Sequence, residues 1–152
     1  MEPYRMIDFV IESNSIEGIT VTGEQELIAH KAFLEEKLGV DSIERFVSAV
    51  QSNGKLRQYP NMDVVVARSY HPPRGGPHIY FALAELLDKF AFLDPWELYC
   101  KYEALHPFTD GNGRSGRALW LKHMGGIEKV PMGFLRTFHI QSLQEYRQRW
   151  TT

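Results

Sequence analysis

The residues with the clearest chemical content lie at 106–117, His-Pro-Phe-Thr-Asp-Gly-Asn-Gly-Arg-Ser-Gly-Arg. Gly111, Asn112 and Gly113 fall where a loop turns into a helix. Glycine lets the backbone come close to a ligand, and the first N–H groups of a helix have no internal partner. Such a start cradles anions, phosphate above all. Arg114 and Arg117 are three apart, so both guanidiniums share one helix face beside the cradle, an arrangement suited to a polyphosphate. Asp110 adds one hard oxygen ligand of the kind that Mg²⁺ takes when it bridges phosphates. His106 adds a group able to accept a proton near neutral pH. Together these parts describe transfer chemistry on a nucleotide phosphate.

Each residue alone has a plainer use. A lone His-Pro can simply end a helix, and an Asp before Gly can simply cap one. Gly111, Gly113 and Gly116 also have the spacing of a dinucleotide fingerprint. That fingerprint needs a hydrophobic strand before it and an acidic residue about 20 positions on. Here Pro-Phe-Thr-Asp precedes it and no suitable strand follows near Pro131, so the dinucleotide reading fails.

The elements that must hold these residues read as helices. Thr22 and Gln25 form a capping-box pattern ahead of Leu27, Ile28, Phe33, Leu34 and Leu38, with Gly39 as the stop. Asp41 and Glu44 open a second helix through Ile43, Phe46, Val47 and Val50. Residues 78–92 read as a strongly apolar and therefore central helix. Asp94 caps another, with Pro95 in its first turn. Residues 112–124 and about 132–149 complete an all-α frame. One stretch departs from it: Asp63–Arg68 is short and β-branched, and with Lys55–Tyr59 it predicts a small hairpin.

Composition bounds the rest. The 152 residues are 43% hydrophobic and 24% charged with a formal charge of −2, which fits one soluble domain and disfavours a general nucleic-acid binder. The single Cys100 allows no internal disulfide and reads as a buried apolar residue. No signal peptide or membrane span is visible, so the expected setting is the cytoplasm.

At every fixed position residues 106–117 resemble the signature of the Fic-domain family, HPFx[D/E]GNGRxxR. The resemblance implies an all-α Fic-like core with a β-hairpin flap, a single domain over 1–152 with the flap region at 55–77. It implies transfer of AMP from ATP to a Ser, Thr or Tyr hydroxyl of a target protein. His106 would be the base and Asp110 the Mg²⁺ ligand, with Mn²⁺ as an alternative. Gly111, Asn112 and Gly113 would form the anion hole, with the Asn112 side chain on the α-phosphate. Arg114 and Arg117 would clamp the β- and γ-phosphates, Phe108 would be a buried peg, and Val64, Val65 and Val66 would dock the target through their main chain. Ser13-Asn14-Ser15-Ile16-Glu17-Gly18 resembles the family's inhibitory pattern, [S/T]xxxE[G/N], and marks residues 1–18 as an inhibitory helix. Glu17 would take the γ-phosphate's place on Arg117, and Ser13 would brace the segment near Asn112. The rival readings are UMP or GMP transfer, removal of AMP, Doc-like phosphorylation and, last, an interaction module with a decayed site. Homo-oligomer formation is left open.

Overall fold

The computed structural model describes residues 4–66 and 70–130. Among them are six α-helices and no strand: α1 (Met6–Ile16), α2 (Glu24–Glu35), α3 (Val40–Val50), α4 (Pro77–Asp88), α5 (Pro95–Leu105) and α6 (Asn112–Met124). Short 3₁₀ turns follow at Phe90–Phe92 and Ile127–Lys129. The helix expected at 132–149 lies outside the described residues.

The apolar run at 78–92 is not the centre of the fold. It breaks after Asp88, and Phe81 and Phe92 are 68% and 86% exposed. The central helix is α6, buried from Arg114 to Leu121 although it carries two arginines. It packs against α1, α2, α3 and α5. Its polar residues are buried because neighbouring elements supply partners, which satisfies the condition for placing a charge inside. The main core joins Phe33, Ile43, Phe46, Val47, Leu83, Leu98, Tyr102, Phe108 and Leu119. A second cluster of Phe9, Tyr99, Trp120 and Leu121 fixes α1 to α5 and α6. Cys100 is buried, as its apolar neighbours predict.

Helix starts differ from the expected ones by a residue or two. Asp94 does cap α5, its Oδ1 accepting the Trp96 N–H at 3.1 Å. At α2, however, the N-cap is Gly23, whose N–H is taken by Glu26 Oε2 at 3.0 Å, while Thr22 accepts from Asn14 on α1. At α3 the N-cap is Gly39, with Ser42 Oγ accepting its N–H at 3.0 Å, so Asp41 is not the cap. In both cases a side chain three residues on satisfies the capping glycine's own N–H.

The expected pairing of Lys55–Tyr59 with Asp63–Arg68 is not shown among the described residues, where 55–57 pair elsewhere. Leu56 makes an isolated antiparallel bridge to Phe108. The Arg57 N–H donates to Pro107 O at 2.9 Å and the Thr109 N–H to Lys55 O at 2.8 Å. Residues 55–57 therefore brace the 106–109 loop, and 63–66 form no strand; 67–69 lie outside the described residues.

The brace is locked by Arg57, which is fully buried. Its Nε donates to His106 O at 2.7 Å and Nη2 to Leu105 O at 3.0 Å. Its Nη1 donates to Met62 O at 3.1 Å and Pro73 O at 2.8 Å. One side chain thus ties the end of α5 to both arms of the 57–76 loop. Arg57→Met keeps the stem and leaves these carbonyls without a donor, so it should lower stability by about 3 kcal/mol. Urea unfolding will show this as a lower midpoint with an unchanged slope.

Candidate active site

The motif residues meet at a pocket of about 340 Å³ lined by His106, Thr109, Asp110, Gly111, Asn112, Gly113 and Arg114, together with Glu17, Ile19 and Gln51. α5 ends at His106, which adopts the left-handed conformation (φ 49°, ψ 61°), and Pro107 prevents any continuation. Such a backbone is uncommon for a non-glycine residue, and the Arg57 contact to the His106 carbonyl helps hold it.

The loop then closes on itself through Asn112. Its Oδ1 accepts the Phe108 N–H at 2.9 Å and its Nδ2 donates to Phe108 O at 2.7 Å. The amide thus shapes the loop through its oxygen and one N–H, and the second N–H of Nδ2 is the group left for the expected contact with an α-phosphate. Phe108 is 1% exposed and packs in the main core, as a peg should. Gly111 caps α6 at φ +84°, a conformation that any other residue adopts under strain. The first-turn N–H groups of α6, which no carbonyl of the helix can satisfy, lie along the pocket. Ser115 steadies this turn, donating to Gly111 O at 2.8 Å while its oxygen lies 2.6 Å from the buried Tyr102 hydroxyl. Neither Arg57 nor Ser115 stands out in the sequence.

His106 sits beside the cradle with its imidazole pushed down to about 4, first by burial and then by the Arg57 charge, against an upward pull from Asp110. At neutral pH it is uncharged and able to accept a proton. Asp110 is exposed, with Oδ1 accepting the Gly111 N–H at 2.8 Å and Oδ2 accepting from Gln51 Nε2 at 2.9 Å. Among the described residues no group of three or more His, Cys, Asp or Glu could cage a metal. One exposed carboxylate beside an anion cradle fits a Mg²⁺ that is bound largely by substrate phosphates.

Two arginines line up on α6 behind the cradle. Arg114 is buried, donates to Gln51 Oε1, and lies 3.7 Å from Glu26 Oε1. Arg117 is 1% exposed and meets the end of α1. Its Nη2 donates to Glu17 Oε1 at 2.7 Å and to Ser13 O at 3.0 Å, and its Nε to Ser13 Oγ at 2.8 Å. Ser13 thus braces Arg117 and not the Asn112 region. A Cβ at Gly113 would stand 2.2 Å from Glu17 Oε1, so only glycine admits the carboxylate here. α1 also reaches Arg114 indirectly: Asn14 Nδ2 donates to Glu26 Oε2 at 2.9 Å. Of the residues expected to dock a target, Val65 and Val66 are exposed and Val64 half-buried, and none lines the pocket.

A model of the Fic/DOC family matches residues 24–124. The chain belongs to the Fic/DOC family. A comparison with curated proteins finds no match. The Fic match begins with the first residue of α2 and ends with the last of α6, so α1 lies outside it. The meeting of Glu17 with Arg117 is accordingly an observation of the structure itself. Within the Fic domain no described helix is long and apolar enough to cross a membrane.

The depressed His106 imidazole has a consequence for stability. Unfolded, it titrates near 6.5; folded, near 4. Between these values the unfolded chain holds a proton that the folded chain does not, so stability present above pH 6.5 is lost as pH falls toward 4. His30, buried and also held near 4, acts in the same sense, while Glu103, pushed up to about 8 by burial, acts in the opposite one. His106→Ala should therefore flatten the fall in urea stability between pH 6.5 and 4. An unchanged slope would show that His106 titrates normally in the folded chain.

Proposed function

We propose that this Fic/DOC-family protein is an adenylyltransferase that moves AMP from ATP to a hydroxyl side chain of a target protein, and that Glu17 holds it in a low-activity state. The observation that carries the reading is the convergence in one pocket of a neutral imidazole, an exposed carboxylate and an open helix start. Two buried guanidiniums stand behind that start.

In the transfer step the target hydroxyl oxygen bonds to the α-phosphorus, the bond to the bridging oxygen breaks, and pyrophosphate leaves. His106 takes the hydroxyl proton on its neutral ring. The α6 N–H groups receive the non-bridging oxygens, where negative charge must be stabilised. Arg114 and Arg117 hold the β- and γ-phosphates and so keep the α-phosphorus in line with the nucleophile. Asp110 would hold Mg²⁺ or Mn²⁺, which when bound neutralises phosphate charge. The Val64–Val66 stretch, exposed at Val65 and Val66, suits a main-chain docking edge for the target segment.

Inhibition follows from competition for one guanidinium. Glu17 and a γ-phosphate are both good partners for Arg117, and both cannot hold the same N–H. With Glu17 in place a triphosphate that enters is displaced, and a shift of about 1 Å can cost about a hundredfold in rate. The glycine-rich Gly111-Asn112-Gly113 turn favours nucleotidyl transfer over Doc-like phosphorylation.

Wild type and Glu17→Gly, incubated with labelled ATP, UTP or GTP and followed by intact mass, test the reading. Glu17→Gly should raise AMP incorporation by about one to two orders of magnitude. Arg117→Ala in that background should lower it again. His106→Ala should abolish incorporation while calorimetric ATP binding stays near wild type. A gain of UMP or GMP would reassign the nucleotide. Loss of an AMP-removing activity in Glu17→Gly would make Glu17 catalytic and reverse the direction.

A further inference from the structure

Asp110 and Arg114 carry opposite charges, stand four residues apart at the start of α6, and do not touch. Gln51, the C-cap residue of α3, lies between them. Its Nε2 donates to Asp110 Oδ2 at 2.9 Å and to Asn53 Oδ1 at 2.6 Å, and its Oε1 accepts from Arg114 Nη2. The direction of this amide is forced by its neighbours. A guanidinium only donates and an ionised carboxylate only accepts, so the oxygen must face Arg114 and the nitrogen Asp110.

The backbone of Gln51 is anchored at the same place. Its N–H donates to Val47 O at 2.7 Å, and its carbonyl accepts the Gly54 N–H at 2.9 Å. Its side chain also packs on Gly111, where a Cβ would come within 3.3 Å of Gln51 Cβ. The amide is thus delivered from a separate helix, already fixed, into the gap between the two charges.

We propose that Gln51 is a positioning residue that keeps Asp110 and Arg114 from pairing with each other, so that the carboxylate stays available to a cation and the guanidinium to a phosphate. A direct ion pair would engage both groups at once and close the cradle on itself. A neutral amide makes one hydrogen bond with each, so the carboxylate, which also accepts the Gly111 N–H, keeps lone pairs for a cation, and the guanidinium, whose Nη1 lies 3.7 Å from Glu26 Oε1, keeps N–H groups for a phosphate. The role rests on the reading of Asp110 and Arg114 as cation and phosphate ligands given above.

The test uses the full chain and measures ATP affinity by calorimetry in the presence of EDTA, where no metal contributes. Gln51→Leu removes both amide functions, and Arg114 is then captured by Asp110. Metal-free ATP affinity should fall about tenfold, the size expected when one charge-assisted contact is lost. Adding Asp110→Asn to Gln51→Leu should restore affinity to within about twofold of Asp110→Asn alone, since the captor is gone. A purely structural role for Gln51 predicts no such rescue. Gln51→Glu keeps the size and the acceptor but draws Arg114 to the introduced carboxylate, so its affinity should fall and Asp110→Asn should not rescue it. Arg114→Ala is the control. If Arg114→Ala weakens ATP and Gln51→Leu does not, or if Asp110→Asn fails to rescue Gln51→Leu, the spacer role is overturned. If Arg114→Ala itself leaves ATP binding unchanged, the phosphate-site reading falls and the spacer role with it.

Discussion

The geometry of this domain hangs on a guanidinium buried with no carboxylate in contact among the described residues. Arg57 donates to four main-chain carbonyls, two at the end of α5 and two in the loop that follows Arg57 itself. Removing a cation from water is costly unless its donors are satisfied, and here they are satisfied by groups that would otherwise be orphaned at a helix C-terminus. The arrangement has two effects at His106. It holds the residue's carbonyl where a left-handed turn places it, and it puts a positive charge near the imidazole, which helps keep the ring neutral. The same side chain thus acts on both the loop backbone and the charge state at His106.

A similar economy governs Arg117. Among the described residues two carboxyl groups come near it, Glu17 from α1 and Glu103 from α5, yet only Glu17 makes an ion pair. Burial pushes Glu103 up to about 8, with Arg117 pulling it down and Glu17 pushing it further up, so at neutral pH it is an uncharged acid. A neutral acid does not compete for a guanidinium as a carboxylate does. Arg117 is therefore left to whichever anion reaches it from the pocket side. Its Nη1 has no hydrogen-bond partner among the described residues, so Glu17 and Ser13 leave the two N–H groups of that nitrogen unsatisfied. α1 holds the arginine without saturating it, which suits a contact that must be reversible.

Much of this was legible in the residues alone, and the boundary is physical. The helices were readable because their apolar spacing is local, and the His106–Arg117 cluster because its loop, helix start and paired arginines are contiguous. Residues 13–18 were readable as a partner for Arg117 because a motif carried them. Arg57 and Gln51 were not, since their partners lie 49 and 59 residues away and neither belongs to a pattern. The hairpin is not shown among the described residues, for a related reason. β-branched residues at 63–66 give a local preference, but the edge that 55–57 satisfies belongs to the loop at 107–109. The loop-closing role of Asn112 was not legible either, because loop closure and phosphate contact ask for the same residue type.

Gly113, Gly116 and Arg117 lie on one face of α6 at helical spacing, and on the proposed function the two glycines explain how a single surface would serve both substrate and inhibitor. A Cβ at Gly116 would stand 2.5 Å from Glu103 Oε1 and 3.1 Å from the Tyr102 ring, so the bare position lets α5 pack closely. A Cβ at Gly113 would collide with the Glu17 carboxylate in the same way. Bareness at 113 is also what a phosphate needs to reach the N–H groups of the first turn. The steric opening cannot distinguish the two anions, since both are compact oxygen acceptors approaching the same guanidinium. Discrimination must then come from the chain that carries the carboxylate. Glu17 is delivered by α1, whose hold on the domain is the packing of Phe9 and Val10 and the Ser13 and Asn14 contacts. On the proposed function, the strength of inhibition is consequently a property of how firmly α1 is packed, while the affinity for nucleotide is a property of α6.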